Sequence, residues 1–207
     1  MSEATERTPK SGRELDRIVF FSDAVFAIAI TILVLDIRVP DGLSARELPG
    51  EVFGLWPKYL GYVISFLVLA IYWQVHHRVF KPITGYDGTL VWLNFLFLMV
   101  VAFLPFPTSL LGEYGEEQVS VAIYAANAAL ASLLLAAISW YATSGHRLVA
   151  ADLDYEELRL RRAESLVVPV VFLLSIGVSF LSPQAAMYTW LLLIVAGPLV
   201  RRLGSRR

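Results

Sequence analysis

Residues 17 to 37, RIVFFSDAVFAIAITILVLDI, form an apolar run long enough to cross a bilayer as one helix, yet a serine and an aspartate sit within its first turns. Insertion scales put a carboxylate near a helix centre at roughly 2.5 to 3.5 kcal/mol, so Asp23 has to face protein or water and is a candidate functional residue. Phe21, Ala24, Ile28, Thr31, Ile32 and Leu35 recur at three- and four-residue steps, which puts them on one side of the same helix. Such a stripe packs either on another helix of its own chain or on copies of itself around a symmetry axis, and the second arrangement encloses a pore.

The rest of the chain is equally apolar. Of its residues 57% are hydrophobic and 17% charged, and the mean hydropathy is +0.63, as expected of an integral membrane protein embedded in a lipid bilayer. The absence of cysteine removes disulfides and thiolate metal sites. A formal net charge of -1 gives no reason to expect a nucleic-acid partner. Residues 1–16 mix both signs without an apolar core and read as a solvated tail.

With about 20 apolar residues per crossing, the chain is all-α and reads as one polytopic domain, 1–207, with six transmembrane helices. These are Ile18 to Ile37, Leu55 to Val75, Leu90 to Leu110, Val119 to Tyr141, Ala163 to Phe180 and Met187 to Val200. Of the seventeen lysines and arginines, fourteen fall in the two tails, after the second crossing, or between the fourth and fifth. Basic residues in short flanking loops stay cytoplasmic, so both termini are expected there. The charged DLDYEELRLRRAE segment before the fifth crossing is expected to continue as a solvated cytoplasmic helix.

Alternating crossings bring Ser22 and Asp23 to the same level as the end of the second helix, IYWQVHHRVF, and as Asn94 at the start of the third. Trp73 and His77 share a face there, and His76 points elsewhere. An aspartate held by imidazole and amide donors would have its lone pairs satisfied, as buried polar groups normally do. A hydrolase triad is disfavoured because Ser22 and Asp23 lie about 100° apart around the helix, which leaves an intramembrane enzyme built on Asp23 and the histidines as the least favoured class. A metal site is disfavoured too, since adjacent histidines diverge and no HExxH spacing exists. The chain has no TVGYG filter, and TGYDG at 84–88 reads as a turn. A secondary transporter, with a polar site around Asp23, His77 and Asn94, remains the alternative to a channel; LPFPTS, with Pro105 and Pro107, reads as a kinked helix end near the interface.

Arg17 followed by FSD, then VFAIAIT and LVL, the WxxHHR run at 73–78, LN at 93–94, LPF at 104–106 and LLGEY at 110–114 together closely resemble the prokaryotic members of the transmembrane protein 175 family, the endosomal and lysosomal potassium channels. The motifs cover the first three helices, and the last three fit in number and topology. The resemblance implies a homotetramer in the cell membrane that passes potassium, and other monovalent cations less well, with no cofactor and no catalytic residues. It implies that helix 1 lines a central pore with apolar constrictions at Ile28, Ile32 and Leu35 acting as a hydrophobic gate, and that Thr31 supplies a selectivity layer. Arg17, Phe21, Ser22, Asp23, Trp73, His77 and Asn94 would be the structural supports behind it. Asp36 stands near the outer end, either concentrating cations at the mouth or serving as an ordinary solvated helix end.

Overall fold

The computed structural model describes residues 12–150, 162 and 165–193. It is all-helical; among these residues the one strand-like contact is an isolated antiparallel bridge between Ile83 and Val149. Helix α1, Gly12–Ile32, runs on through a 3-10 turn, Leu33–Asp36. It therefore starts inside the segment read as a solvated tail, because Leu15 finds a place in the core and extends the helix below the apolar run. A short helix α2, Leu48–Gly54, leads into α3, Trp56–Phe80, which runs five residues beyond its expected end and stops just before Pro82.

The third crossing consists of two pieces. Helix α4, Gly88–Phe103, is capped by Asp87, whose carboxylate accepts the Leu90 N–H at 3.0 Å. Helix α5, Pro105–Glu113, takes over after Leu104, where Pro105 and Pro107 each remove a backbone donor. Helix α6, Gln118–Thr143, is the most buried of the long helices and forms the centre of the bundle. Its inward face is built from small residues, among them Ala125, Ala128, Ala129, Ser132 and Ala136, which let neighbouring backbones come close. Helix α7, Val167–Ser179, packs on α6, and α8, Pro183–Thr189, folds back on α7. Trp190 joins all three: its ring stacks on Tyr124 with centroids 4.9 Å apart, and its N–H reaches Ser175 Oγ at 2.8 Å.

Four stretches are long and apolar enough to cross a membrane, Gly12–Asp36, Trp56–Phe80, Gly88–Glu113 and Gln118–His146, and Val167–Ser179 is a shorter apolar helix. The last part of the expected sixth crossing, 194–200, and residues 151–161 of the charged segment lie outside the described residues.

Candidate functional site: the first helix and what holds it

Helix α1 has two unlike sides. Ser22, Phe26, Ala29 and Leu33 are buried against α3 and α4, at the spacing of an inward face. Phe21, Ile28, Ile32 and Leu35 stand open instead, with Ile28 58% and Leu35 62% exposed. Ala24 and Thr31 are open as well, and the Thr31 hydroxyl donates to Ile28 O at 2.9 Å. Beyond Phe21, which meets Phe95, the apolar stripe is therefore left open by the described part of its own chain.

Two separate polar contacts fix the back of this helix at the end where it begins. In the first, Ser22 Oγ donates to Ile18 O, and Asn94 Nδ2 donates to Ser22 Oγ, both at 2.9 Å. The Asn94 amide oxygen can only accept, so its 2.9 Å contact with His76 Nε2 places the imidazole hydrogen on that nitrogen. Ser22, His76 and Asn94 are fully buried, and Phe26, Phe80 and Phe97 enclose the imidazole at 4.4 to 5.9 Å between ring centroids. His76 Nδ1 has no hydrogen-bond partner among the described residues.

In the second contact, Trp73 Nε1 donates to Asp23 Oδ1 at 2.8 Å, and His77 stacks on the Trp73 ring. The expectation of imidazole and amide donors on the aspartate is thus corrected: its donor is an indole, and the imidazole of His76 meets the amide of Asn94 instead. The cause is helix geometry: neighbouring residues point about 100° apart, so Ser22 and Asp23 address different helices, as do His76 and His77. His76 was legible on α3, where it shares a buried face with Ser65, Leu69, Tyr72 and Phe80. Asp23 and His77 both meet Trp73 while Asn94 bonds Ser22 and His76, so no hydrogen bond among the described residues joins Asp23, His77 and Asn94 to one another.

The remaining site residues lie apart from these two contacts. Phe21 meets Phe95 edge to face with centroids 5.8 Å apart. Arg17 is exposed and, with Phe21, Tyr86, Val91 and Phe95, lines an open cavity of about 330 Å³. Tyr86 also donates its hydroxyl to Glu14, tying the loop before α4 to the first turn of α1. At the other end of α1, the half-buried Asp36 accepts a hydrogen bond from Ser109 on α5. Neither Ser109 nor the Tyr86–Glu14 pair stood out in the sequence, because hydroxyls at 70-residue separation carry no spacing signal. No group of three or more His, Asp or Glu among the described residues is arranged to hold a metal ion.

The sequence profile of the endosomal/lysosomal potassium channel TMEM175 matches residues 17–105, the part that contains α1, α3 and α4. A potassium channel of Streptomyces collinus is 38% identical over 173 residues, covering 82% of this chain and 84% of that one. The chain belongs to the TMEM175 family. A potassium channel of Chamaesiphon minutus is 35% identical, covering 88% of this chain and 90% of its own. The crystal structure of a lysosomal potassium-selective channel TMEM175 homolog from Chamaesiphon minutus superposes with a TM-score of 0.75 at 31% identity, over 90% of this chain and 97% of that one. As a member of the family, the chain is a membrane protein and not an enzyme, and its α1 carries the family's matched N-terminal segment.

Proposed function

We propose that this chain is a potassium-preferring cation channel of the cell membrane, with six crossings, both termini cytoplasmic, and four copies that set α1 around a central pore. Ile28, Ile32 and Leu35 form apolar rings along it, Thr31 a layer of hydroxyls, and Asp36 a ring of carboxylates near the outer mouth. The observation that carries this reading is the division of α1. Among the described residues Ser22, Phe26, Ala29 and Leu33 pack inward, and the side from Ile28 to Leu35 left open is the stripe that four-fold repetition would close on itself. Relatives named as potassium channels support the choice of ion.

An apolar neck can gate without a plug, because a narrow hydrophobic passage sheds water until it widens slightly. Such a gate needs helices that tilt or rotate as units. The Ser22–Asn94–His76 and Asp23–Trp73 contacts tie α1 to α3 and α4 at one end, and Asp36–Ser109 ties it to α5 at the other. A shift of those helices is thereby passed to the rings. The test is the wild-type protein in planar bilayers with potassium on one side and sodium on the other. A passive current reversing toward the potassium equilibrium potential is expected; saturable flux coupled to a second ion, with no passive current, would replace the channel by the transporter.

A further inference from the structure

Between the first two crossings lies α2, a helix whose two sides differ sharply. At about 100° per residue, Leu48, Pro49, Val52 and Phe53 point to one side, and Glu47, Gly50, Glu51 and Gly54 to the opposite one. The apolar side is open. Leu48 is 45% exposed and Phe53 79%, and Trp56, which follows at the start of α3, is 62% exposed. Among the described residues α2 has no buried side chain, and neither hydrophobic cluster of the bundle includes it.

Its place in the chain says what meets that side. Only Leu55 separates α2 from the membrane-spanning α3, so α2 sits where hydrocarbon gives way to headgroups. The joint is also stiff. The Leu55 N–H donates to Glu51 O at 3.2 Å, and Leu55 O accepts from the N–H groups of Lys58 and Tyr59 at 2.9 and 3.1 Å, so hydrogen bonding runs through the corner. The chain turns there because Leu55, with ψ at 4°, leaves helical geometry and Pro57 has no N–H to continue the ladder. The Tyr59 hydroxyl donates back to Val52 O at 3.1 Å and clamps the two helices together.

We infer that α2 lies in the plane of the bilayer surface, with Leu48, Phe53 and Trp56 sunk among the acyl chains nearest the headgroups and Glu47 and Glu51 turned to water. The partner of this surface is lipid. Helices that bind membranes from solution usually carry lysine or arginine on the polar side to reach anionic lipid. Acids stand there in α2, which needs no such attraction because two crossings already hold it at the surface; its seat comes from apolar area and from Trp56, whose ring suits the interface. At the far end of α3, Arg78 and Lys81 are exposed. Trp56 and Arg78 are about 33 Å apart at 1.5 Å per residue, close to the thickness of the hydrocarbon layer. Helix α3 is thus held at both surfaces, and it carries Trp73 and His76, which bond Asp23 and Asn94. The seat of α2 in lipid sets the height at which α3 holds α1.

Because the chain has no native cysteine, single labels can be read without background. Phe53→Cys and Glu51→Cys replace exposed residues, so neither threatens the fold. Each is labelled with nitrobenzoxadiazole and placed in phosphatidylcholine nanodiscs, where both bilayer surfaces meet the solution. Spin labels on the lipid, near the glycerol end of its chains, should quench the fluorophore at 53 at least about twofold more than the one at 51, and dissolved iodide should do the reverse. Trp56→Cys is a second probe of the apolar side and should follow 53. Equal iodide quenching at 51 and 53 would put α2 in water and overturn the inference. A label at 53 shielded from iodide and from the spin-labelled lipid alike would put protein, such as a neighbouring copy, over this side and would overturn it too.

Discussion

Asn94→Ala removes the side chain that joins three helices, and its cost can be worked out from the contacts. The amide accepts from His76 Nε2 and donates to Ser22 Oγ, both at 2.9 Å and both wholly buried. Removing it strands the imidazole N–H among Phe26, Phe80 and Phe97, which offer no acceptor. A buried donor without a partner costs about 1 to 3 kcal/mol. Ser22 suffers less, since its hydroxyl still donates to Ile18 O. With the small void left by the amide, Asn94→Ala should destabilise the fold by about 2 to 4 kcal/mol. Ser22→Ala deletes one interhelical bond and leaves Asn94 held by His76, so about 1 kcal/mol is expected, within the range measured for side-chain bonds between membrane helices. The two substitutions share the Asn94–Ser22 bond, so the double variant should cost about 1 kcal/mol less than the sum. Unfolding in mixed micelles with increasing sodium dodecyl sulfate measures all three. Additivity within about 0.3 kcal/mol, or an Asn94→Ala cost no larger than that of Ser22→Ala, would refute the account.

Trp73→Phe keeps an aromatic ring for His77 to stack on but removes the donor to Asp23, and should cost about 1.5 to 3 kcal/mol in the same unfolding assay, as hydrogen bonds to charged groups do. Asp23→Asn, which keeps an acceptor oxygen, should cost less. Ile28→Asn wets the proposed neck and should raise single-channel conductance several-fold without loss of folding; an unchanged current in a folded variant would remove α1 from the pore lining. Asp87, outside the spans, is governed by opposing effects. Burial raises its pKa, but the Tyr141 hydroxyl at 2.6 Å, the Leu90 N–H and Arg147 at 3.6 Å outweigh that and hold it below the ordinary 3.8. A lowered carboxyl stabilises the fold above the unfolded-state value and loses that contribution as pH falls through the folded one, so wild type should lose thermal stability in acid below about pH 4 and Asp87→Asn should lack that part of the slope.

The apolar runs made the four long spans legible, down to the break at Leu104 that Pro105 and Pro107 foretell, but not the short α2. Helix ends were less so: α3 continues past Val75 because Tyr72, His76 and Phe80 share an inward face that hydropathy, falling at QVHHR, does not register. Ser22, Asp23, His76, His77 and Asn94 were recognisable as polar groups at one depth. Their pairing was not, because depth follows from counting crossings, whereas direction depends on the rotation of each helix about its own axis. One residue of rotation exchanges His76 for His77, and only packing of Phe26 and Phe97 against the ring fixes which of them faces Asn94.

That rotation also bears on how α1 works. In water an amphipathic helix hides its apolar side and shows its polar one; here the fully buried Ser22 lies on the packed side, with Asp23 partly buried beside it against Trp73, and Ile28, Ile32 and Leu35 lie on the open side. In lipid, burial of apolar surface gives little drive for helices to associate, so packing and interhelical hydrogen bonds have to set the rotation of α1. Ser22, Asp23 and Asp36 each make such a bond on a different neighbour, which fixes the azimuth at both ends. An azimuth set from behind leaves the stretch from Ile28 to Leu35 apolar on its front but for Thr31, and a mostly apolar neck is what a dewetting gate needs. Loss of any one anchor should therefore act on gating before it acts on selectivity: Asn94→Ala or Trp73→Phe should change open probability while the reversal potential between potassium and sodium stays at its wild-type value. A variant of either anchor that moves the reversal potential without altering open probability would show that the polar contacts shape the ion path directly.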